Sequence, residues 1–142
     1  MENGAHIRLV LWKAAKAVEQ VDRKSIIKTG LKLTDFMIME VLLHKGPLPI
    51  NTIAGKVLLT SGSMTAAVNR LENRGLVTRI QDPSDGRCFY VHLTKSGRKV
   101  ISTAYDAHAK NLDDMVSVLS AEERDELVRL LKKVGGHAEK MS

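Results

Sequence analysis

The residues best suited to bind a partner lie on one polar face of a predicted helix over about 62–74, opposite an apolar face of Met64, Val68 and Leu71. That polar face begins with short hydroxyl side chains and continues with amide and guanidinium groups: Ser61, Ser63, Thr65, Ala66, Asn69, Arg70, Asn73 and Arg74. Hydroxyl groups and amides at a helix N-terminus bind phosphate, and Asn and Arg match adenine and guanine edges in the major groove. The pattern indicates contacts with double-stranded DNA. A capped helix with a solvated polar face is the alternative.

A polar turn follows this helix and separates two short alternating runs at 76–80 and 88–93, which read as β-strands. The turn is Asp82-Pro83-Ser84-Asp85-Gly86-Arg87, whose residue types favour a hairpin tip. Arg87 is long enough to enter a minor groove. Because Asp85 would repel phosphate, we expect it to hold Arg87 or Arg74 in position. The alternative is a solvated turn without DNA contacts, in which Asp85 caps the backbone.

Four side chains are candidates for an apolar ligand pocket: Trp12, Phe36, Met39 and His44. Aromatic residues at helical spacing are equally typical of a hydrophobic core. His44 and His108 could converge in the same cleft, but a zinc site needs more ligands than these two. We therefore predict no metal and no cofactor. We expect instead that His44 caps the end of a helix and that His108 packs at a subunit interface.

The chain has one cysteine, Cys88, at the start of the second predicted strand. A single cysteine forms no intramolecular disulfide, which is typical of a reducing compartment. A small strand residue is the simplest interpretation. The neighbouring Arg87 would favour a thiolate, so Cys88 is also a candidate for oxidation.

Composition and charge restrict the class of protein. A chain of 142 residues with 44% apolar content is long enough for one domain with a core, and its net charge of +6 with a pI near 9.6 favours an anionic partner. The chain contains no H-E-x-x-H motif, no G-x-S-x-G motif and no Gly-rich phosphate loop after a strand, so we do not expect the protein to be an enzyme. An amphipathic N-terminus and the lack of a long apolar run predict a cytoplasmic protein without membrane contact.

The spacing of apolar residues predicts a mainly α fold with a small β-hairpin. Thr34 is the expected N-cap of the second helix, and Gly135-Gly136 is the expected end of the last helix, which opens with a capping box at Ser120. The predicted helices span about 5–28, 34–45, 50–58, 62–74, 95–118 and 120–134.

This order of elements predicts a single domain over 1–142 that contains a winged helix-turn-helix over 34–95. The amphipathic helices at 1–30 and 96–142 lie outside that unit, and their apolar stripes require cover. We expect the two ends of the chain to pack together and against a second copy, which forms a homodimer.

Three motifs in register resemble the MarR family of bacterial regulators over nearly the whole chain. Residues 71–79, Leu-Glu-Asn-Arg-Gly-Leu-Val-Thr-Arg, match the family's L-E-x-K/R-G-L-V/I-x-R, and residues 82–87 match D-x-x-D-x-R. Residues 93–97, Leu-Thr-Lys-Ser-Gly, match L-T-x-x-G. The resemblance implies a homodimeric winged helix-turn-helix repressor of palindromic operators, with Asp85 and Arg87 as an acid–arginine pair. This chain has Gly86 where many members of the family carry a second arginine, which implies that its hairpin binds phosphate less strongly.

The resemblance also implies a release mechanism. Members often leave DNA when a small phenolic or other aromatic ligand occupies the cleft between dimerisation and DNA-binding regions, or when a cysteine is oxidised. The Thr-Ser-Gly-Ser run at 60–63 and the His-Lys-Gly-Pro turn are similar to a subgroup that responds to quinone-like compounds. The peroxide-sensing subgroup carries a cysteine in its first long helix, and this chain has none there.

The sequence therefore predicts a sequence-specific transcriptional repressor. The alternatives are an architectural DNA-binding protein without an effector and a winged helix that binds proteins only. The latter predicts no salt-dependent DNA binding.

Overall fold

A computed structural model describes residues 1–57 and 61–142, with the backbone alone at residue 61. Within these ranges the chain is mainly helical with one small antiparallel sheet, which confirms the predicted fold class. The elements are α1 (Gly4–Lys28), α2 (Leu33–Lys45), β1 (Leu48–Pro49), α3 (Ile50–Val57), α4 (Ser61–Asn73), β2 (Val77–Asp82), β3 (Asp85–Leu93), α5 (Lys95–Met115) and α6 (Ala121–Met141).

The sheet has three strands in the order β1-β3-β2, so the predicted hairpin has an additional strand on one side. β2 pairs with β3 from Val77 opposite Leu93 to the tip, where the register shifts between Gln81 and Asp82. β1 is only two residues long and pairs Leu48 with Val91. The sequence did not indicate β1, because two residues are too few to show an alternating pattern.

The hydrophobic core lies where α2, α3, α4 and the sheet meet the N-terminal half of α5. Burial of these apolar side chains is the main favourable term that holds the helices in place. The fully buried side chains include Phe36, Ile38, Met39, Leu42, Ile53, Met64, Val68, Leu71, Val77, Val91 and Ile101.

The two ends of the chain contribute little to this core. α1 buries only Ser25 and Ile26, near its C-terminal end, and none of the residues of α6 is buried. The predicted inward residues Leu127, Leu130, Leu131 and Val134 are 42–49% exposed. α6 thus presents an apolar stripe that this chain alone does not cover.

Three predicted helix boundaries were wrong. α2 begins at Leu33 with Lys32 as its N-cap, whereas Thr34 lies inside the first turn. α5 ends at Met115 rather than near 118, and α6 continues through Gly135-Gly136 to Met141. Two glycines cost about 1 kcal/mol each in a helix interior, and the strong helix formers that follow them keep the helix intact.

No helix in the described part of the chain is both long and apolar enough to span a bilayer.

Candidate nucleic-acid interface

Helix α4 is positioned by four side chains that point into the core: Met64, Ala67, Val68 and Leu71. Their spacing of three and four residues turns the opposite face of α4 to solvent. Of the predicted DNA contacts on that helix, Ser63, Thr65 and Asn69 are exposed. Ser61 begins the helix, but its side chain lies outside the described residues.

An arginine of α4 and the arginine that follows the helix both face a carboxylate on another helix. Asp35, in the first turn of α2, is fully buried, and its Oδ1 accepts a hydrogen bond of 2.6 Å from Nη2 of Arg70. Nη1 of Arg74, the residue that follows α4, lies 3.6 Å from Oδ2 of Asp35. The hydrogen bond to the Asp35 carboxylate raises the pKa of Arg70. The interaction joins α2 to α4 across a separation of 35 residues.

A second ion pair fastens the hairpin to α4. Nη1 of Arg79 on β2 donates to Oε1 of Glu72 at 2.6 Å, and its backbone N–H donates to Oε2 at 3.1 Å. Nη2 of Arg79 also donates to Oδ1 of Asn69 at 2.5 Å. Glu72 and Arg79 are the acid and the final arginine of the L-E-x-K/R-G-L-V/I-x-R motif. Their role is therefore to fix the angle between helix and hairpin, and the side-chain oxygen of Asn69 takes part in the same contact.

The tip of the hairpin is held by acids that accept backbone hydrogen bonds. Asp82 Oδ1 accepts from the N–H and the hydroxyl of Ser84 at 2.9 and 2.8 Å, and these bonds lower the pKa of Asp82. Asp85 Oδ1 accepts from the backbone N–H of Arg87 at 3.0 Å. The prediction that Asp85 holds the side chain of Arg87 or Arg74 was thus wrong, and the acid caps the turn. The Arg87 side chain is exposed, and it takes part in none of the ion pairs among the residues that the structure describes.

A tight junction joins the hairpin to α5. The Thr94 hydroxyl donates to the Gly75 carbonyl at 2.7 Å and accepts from the Gly97 N–H at 2.9 Å as the N-cap of α5. The Thr94 N–H donates to the Leu76 carbonyl at 3.1 Å. A Cβ at Gly97 would lie 1.9 Å from that same carbonyl oxygen, so only glycine fits. The L-T-x-x-G motif therefore locks the winged helix onto α5.

Comparison with known proteins agrees with this geometry. The sequence profile of the MarR family matches residues 31–89, which span α2 to the outer part of β3. Over 96% of its length, the chain is 36% identical to the HTH-type transcriptional regulator MhqR of Bacillus subtilis (strain 168), of which it covers 94%. The chain belongs to the MarR family.

Solved structures give the same result at the level of the fold. The transcriptional regulator BldR of Sulfolobus solfataricus superposes with a TM-score of 0.81 at 26% identity, over 96% of this chain and 99% of that one. NadR, solved in complex with 4-hydroxyphenylacetate, superposes with a TM-score of 0.77 at 25% identity, over 94% and 95% of the two chains. This MarR-family chain is therefore a transcriptional regulator of the winged helix-turn-helix type rather than an enzyme.

A buried polar cluster joins α1 to α5 behind the DNA-binding elements. His108 packs its ring edge-on against Phe36, and its Nε2 lies 3.1 Å from Oδ1 of Asp22. Its Nδ1 lies 2.8 Å from the Ser25 hydroxyl, which accepts from the Asn111 amide at 3.0 Å. One neutral tautomer satisfies all these bonds, with Nε2–H donating to Asp22 and Nδ1 accepting from Ser25. His108 therefore packs within the chain and does not meet His44.

The four residues predicted to line a ligand pocket do not converge. Phe36 and Met39 are fully buried in the core, whereas Trp12 is exposed on α1 with the Lys16 ammonium 5.3 Å from the centre of its ring. The His44 ring packs edge-on against Tyr105. Helical spacing predicts burial but does not distinguish a packed core from a cavity, so a ligand pocket at these residues stays a prediction.

A cleft of about 540 Å³ opens instead between the C-terminal end of α1 and the outer face of α5. Its walls combine apolar side chains with two lysines, Lys28 of α1 and Lys99 of α5. The complete lining is Lys28, Thr29, Gly30, Leu31, Lys99, Val100, Thr103, Ala104 and Ala107. Sequence periodicity marked Val100 and Ala104 only as core positions. A wall formed by two helices far apart in the chain leaves no local signal.

Cys88 is a half-buried free thiol on β3. It lines a shallow depression of about 350 Å³ beside Arg87, Phe89 and Asn51. In the described ranges, no group of three or more His, Cys, Asp or Glu side chains is arranged to hold a metal ion.

Proposed function

We propose that this regulator is a homodimeric repressor that binds a palindromic operator and leaves it when a small aromatic acid or phenol binds. The observation that carries this proposal is the uncovered apolar stripe of α6. Five of its residues are 42–51% exposed: Leu127, Val128, Leu130, Leu131 and Val134. A soluble monomer rarely exposes a continuous stripe of this kind, whereas a subunit interface is expected to bury it.

The dimer proposal extends to α1. Its exposed apolar side chains Ile7, Val10 and Leu11 form, with Leu127 of α6, the walls of an open apolar groove of about 420 Å³. A helix of a second copy has the right chemistry to fill that groove. In a twofold dimer the same groove exists on both subunits, so each copy both provides and fills one. The segments 1–30 and 96–142 would then form the dimerisation region.

A twofold dimer places two α4 helices on one face of the duplex. Each would enter a major groove with Ser63, Thr65 and Asn69 toward the DNA, at half-sites about 10 bp apart. Arg87, at the exposed tip of each hairpin, would reach the flanking minor groove. The net charge of +6 per chain favours this approach to an anionic partner.

The effector site we propose is the cleft between α1 and α5. Lys28 and Lys99 supply positive charge there, and Leu31, Val100 and Ala104 supply apolar surface. An aromatic ring with a carboxylate or phenolate matches both features, as does the 4-hydroxyphenylacetate bound by NadR. Because the cleft lies between α1 and α5, beside the segment Gly30-Leu31 that leads into the winged helix, a ligand would favour dimers whose α4 helices are wrongly spaced. Oxidation of Cys88 beside Arg87 would provide a second signal on the wing itself.

The test is a binding titration with DNA from upstream of the protein's own gene and with random DNA of equal length. We expect at least roughly a hundredfold preference for the former. An affinity ratio near one would favour an architectural protein and contradict the repressor proposal. Adding 4-hydroxyphenylacetate as a probe should weaken binding by the wild type but not by Lys99→Met. Hydrogen peroxide should weaken binding by the wild type but not by Cys88→Ser, and an equal loss in both would exclude Cys88 as a sensor.

A further inference from the structure

Asp35 is the carboxylate of α2 that faces the recognition helix α4, and its side chain has no exposure to solvent. Arg70 and Arg74 lie against it, and their side chains are 38% and 51% exposed. A carboxylate excluded from water is stable only beside cations or hydrogen-bond donors. Asp35 therefore depends on these two arginines, and the arginines in turn are drawn toward α2.

The contact uses hydrogen-bonding groups that a DNA contact would need. Arg70 directs Nη2 to Asp35, while its Nε is buried without a hydrogen-bond partner in the described structure. Nη1 and the second N–H of Nη2 are left for Arg70 to reach a base or phosphate, and the buried Nε–Nη2 side of the guanidinium is not available to guanine. Arg74 lies 3.6 Å from the second oxygen of Asp35, which has no other partner among the described residues.

The consequence is visible on the surface of α4. Successive positions on its outermost line, Gly62, Ala66, Asn69 and Asn73, are exposed and uncharged. They lie three or four residues apart and so share one face. Arg70 and Arg74 lie toward α2, and the Arg79 guanidinium is held by Glu72 and by the Asn69 oxygen. The outermost residues of the helix that would enter the groove carry no charge of their own.

We propose that Asp35 is a positioning residue that holds Arg70 and Arg74 on the α2 side of the recognition helix, so that α4 meets DNA with a neutral face. This inference rests on the proposed DNA-binding function and gives the two arginines a different role from the base contacts expected from sequence. Phosphate contacts strengthen binding to every sequence alike. Restraining these arginines keeps affinity for random DNA low and thus preserves discrimination.

The experiment compares wild type with Asp35→Asn and with Asp106→Asn, an exposed acid on α5 that provides the same change of charge. Affinities for upstream and random DNA are measured over a range of salt concentrations. Asp35→Asn should bind random DNA about tenfold more tightly, and the slope of log K against log salt should steepen by about 0.9 for each arginine that reaches a phosphate. The preference for upstream DNA should fall. Asp106→Asn should match the wild type in slope.

A triple variant, Asp35→Leu with Arg70→Met and Arg74→Met, removes both sides of the pair and should regain the wild-type slope. It also serves if Asp35→Asn fails to fold, because replacing a buried ion pair by apolar groups leaves no buried charge or polar group without a partner. A triple variant with a shallower slope than wild type would show that the arginines already contact phosphate, and would overturn the inference. An unchanged slope in folded Asp35→Asn would also overturn it. Wild type without salt-dependent binding would instead refute the proposed function.

Discussion

The junction at Gly97 gives a prediction whose size can be worked from the structure. A Cβ at residue 97 would lie 1.9 Å from the Leu76 carbonyl oxygen, which is a backbone atom and not a flexible side chain. An ordinary carbon–oxygen contact is about 3.3 Å, so Gly97→Ala must separate the hairpin from α5 by about 1.4 Å. The neighbouring hydrogen bonds cannot survive such a shift.

Three bonds meet at this junction: Thr94 N–H to Leu76, the Thr94 hydroxyl to Gly75, and the Gly97 N–H to the Thr94 hydroxyl. Each contributes about 1 kcal/mol, and alanine recovers about 1 kcal/mol of helix propensity. The net loss is about 2 kcal/mol. Unfolding entropy of about 2.1 cal/mol/K per residue gives about 0.3 kcal/mol/K for the chain, so the Tm should fall by about 7 °C.

The matched control is Gly55→Ala, because Gly55 lies in α3 and a Cβ added there would have no atom within 4 Å. That change should raise the Tm by about 3 °C through helix propensity alone. Thermal unfolding followed by circular dichroism at one fixed protein concentration compares the three chains. A Gly97→Ala protein as stable as wild type would refute the steric reasoning.

Three further results are expected. Leu131→Asp should weaken dimerisation at least tenfold, about 1.4 kcal/mol, in sedimentation analysis. The control Val118→Asp, in the α5–α6 turn, should leave the dimerisation constant unchanged. Equal dimerisation constants for the two variants would contradict the proposed interface. Burial raises the pKa of Glu40 above its ordinary 4.5, so the native state stays protonated to higher pH than the unfolded state, and the free energy of unfolding falls as pH rises above 4.5. Glu40→Gln should reduce that fall, measured as denaturant midpoints over a range of pH. A pH profile unchanged by the mutation would contradict this role of Glu40. Arg87→Ala should lower the salt slope by about 0.9 for each wing, and Lys110→Ala on α5 should not.

The motifs made the fold predictable because they encode local geometry. The apolar period of α4, the turn chemistry of residues 82–87 and the capping box at Ser120 each specify a structure within a few residues. The capping box is present as expected, with the Ser120 N–H donating to Glu123 at 2.9 Å. Such short-range signals led to the correct order of helices and hairpin.

The errors arose where the deciding interactions join distant parts of the chain. Asp35 looks like an ordinary acid in the first turn of a helix, where it is favourable to the helix dipole. Its contact with Arg70 depends on how α2 packs against α4, which no local pattern reports. Met39 illustrates another limit of local patterns, since apolar spacing identified its burial correctly but does not report whether a pocket adjoins it.

The central claim is that two copies bind two half-sites of one operator. Hydroxyl-radical footprinting on DNA from upstream of the protein's own gene tests it most directly. The proposal predicts two protected segments on one face of the duplex about 10 bp apart, flanked by minor-groove protection that Arg87→Ala removes. Uniform protection along the DNA, or a single protected half-site, would contradict it.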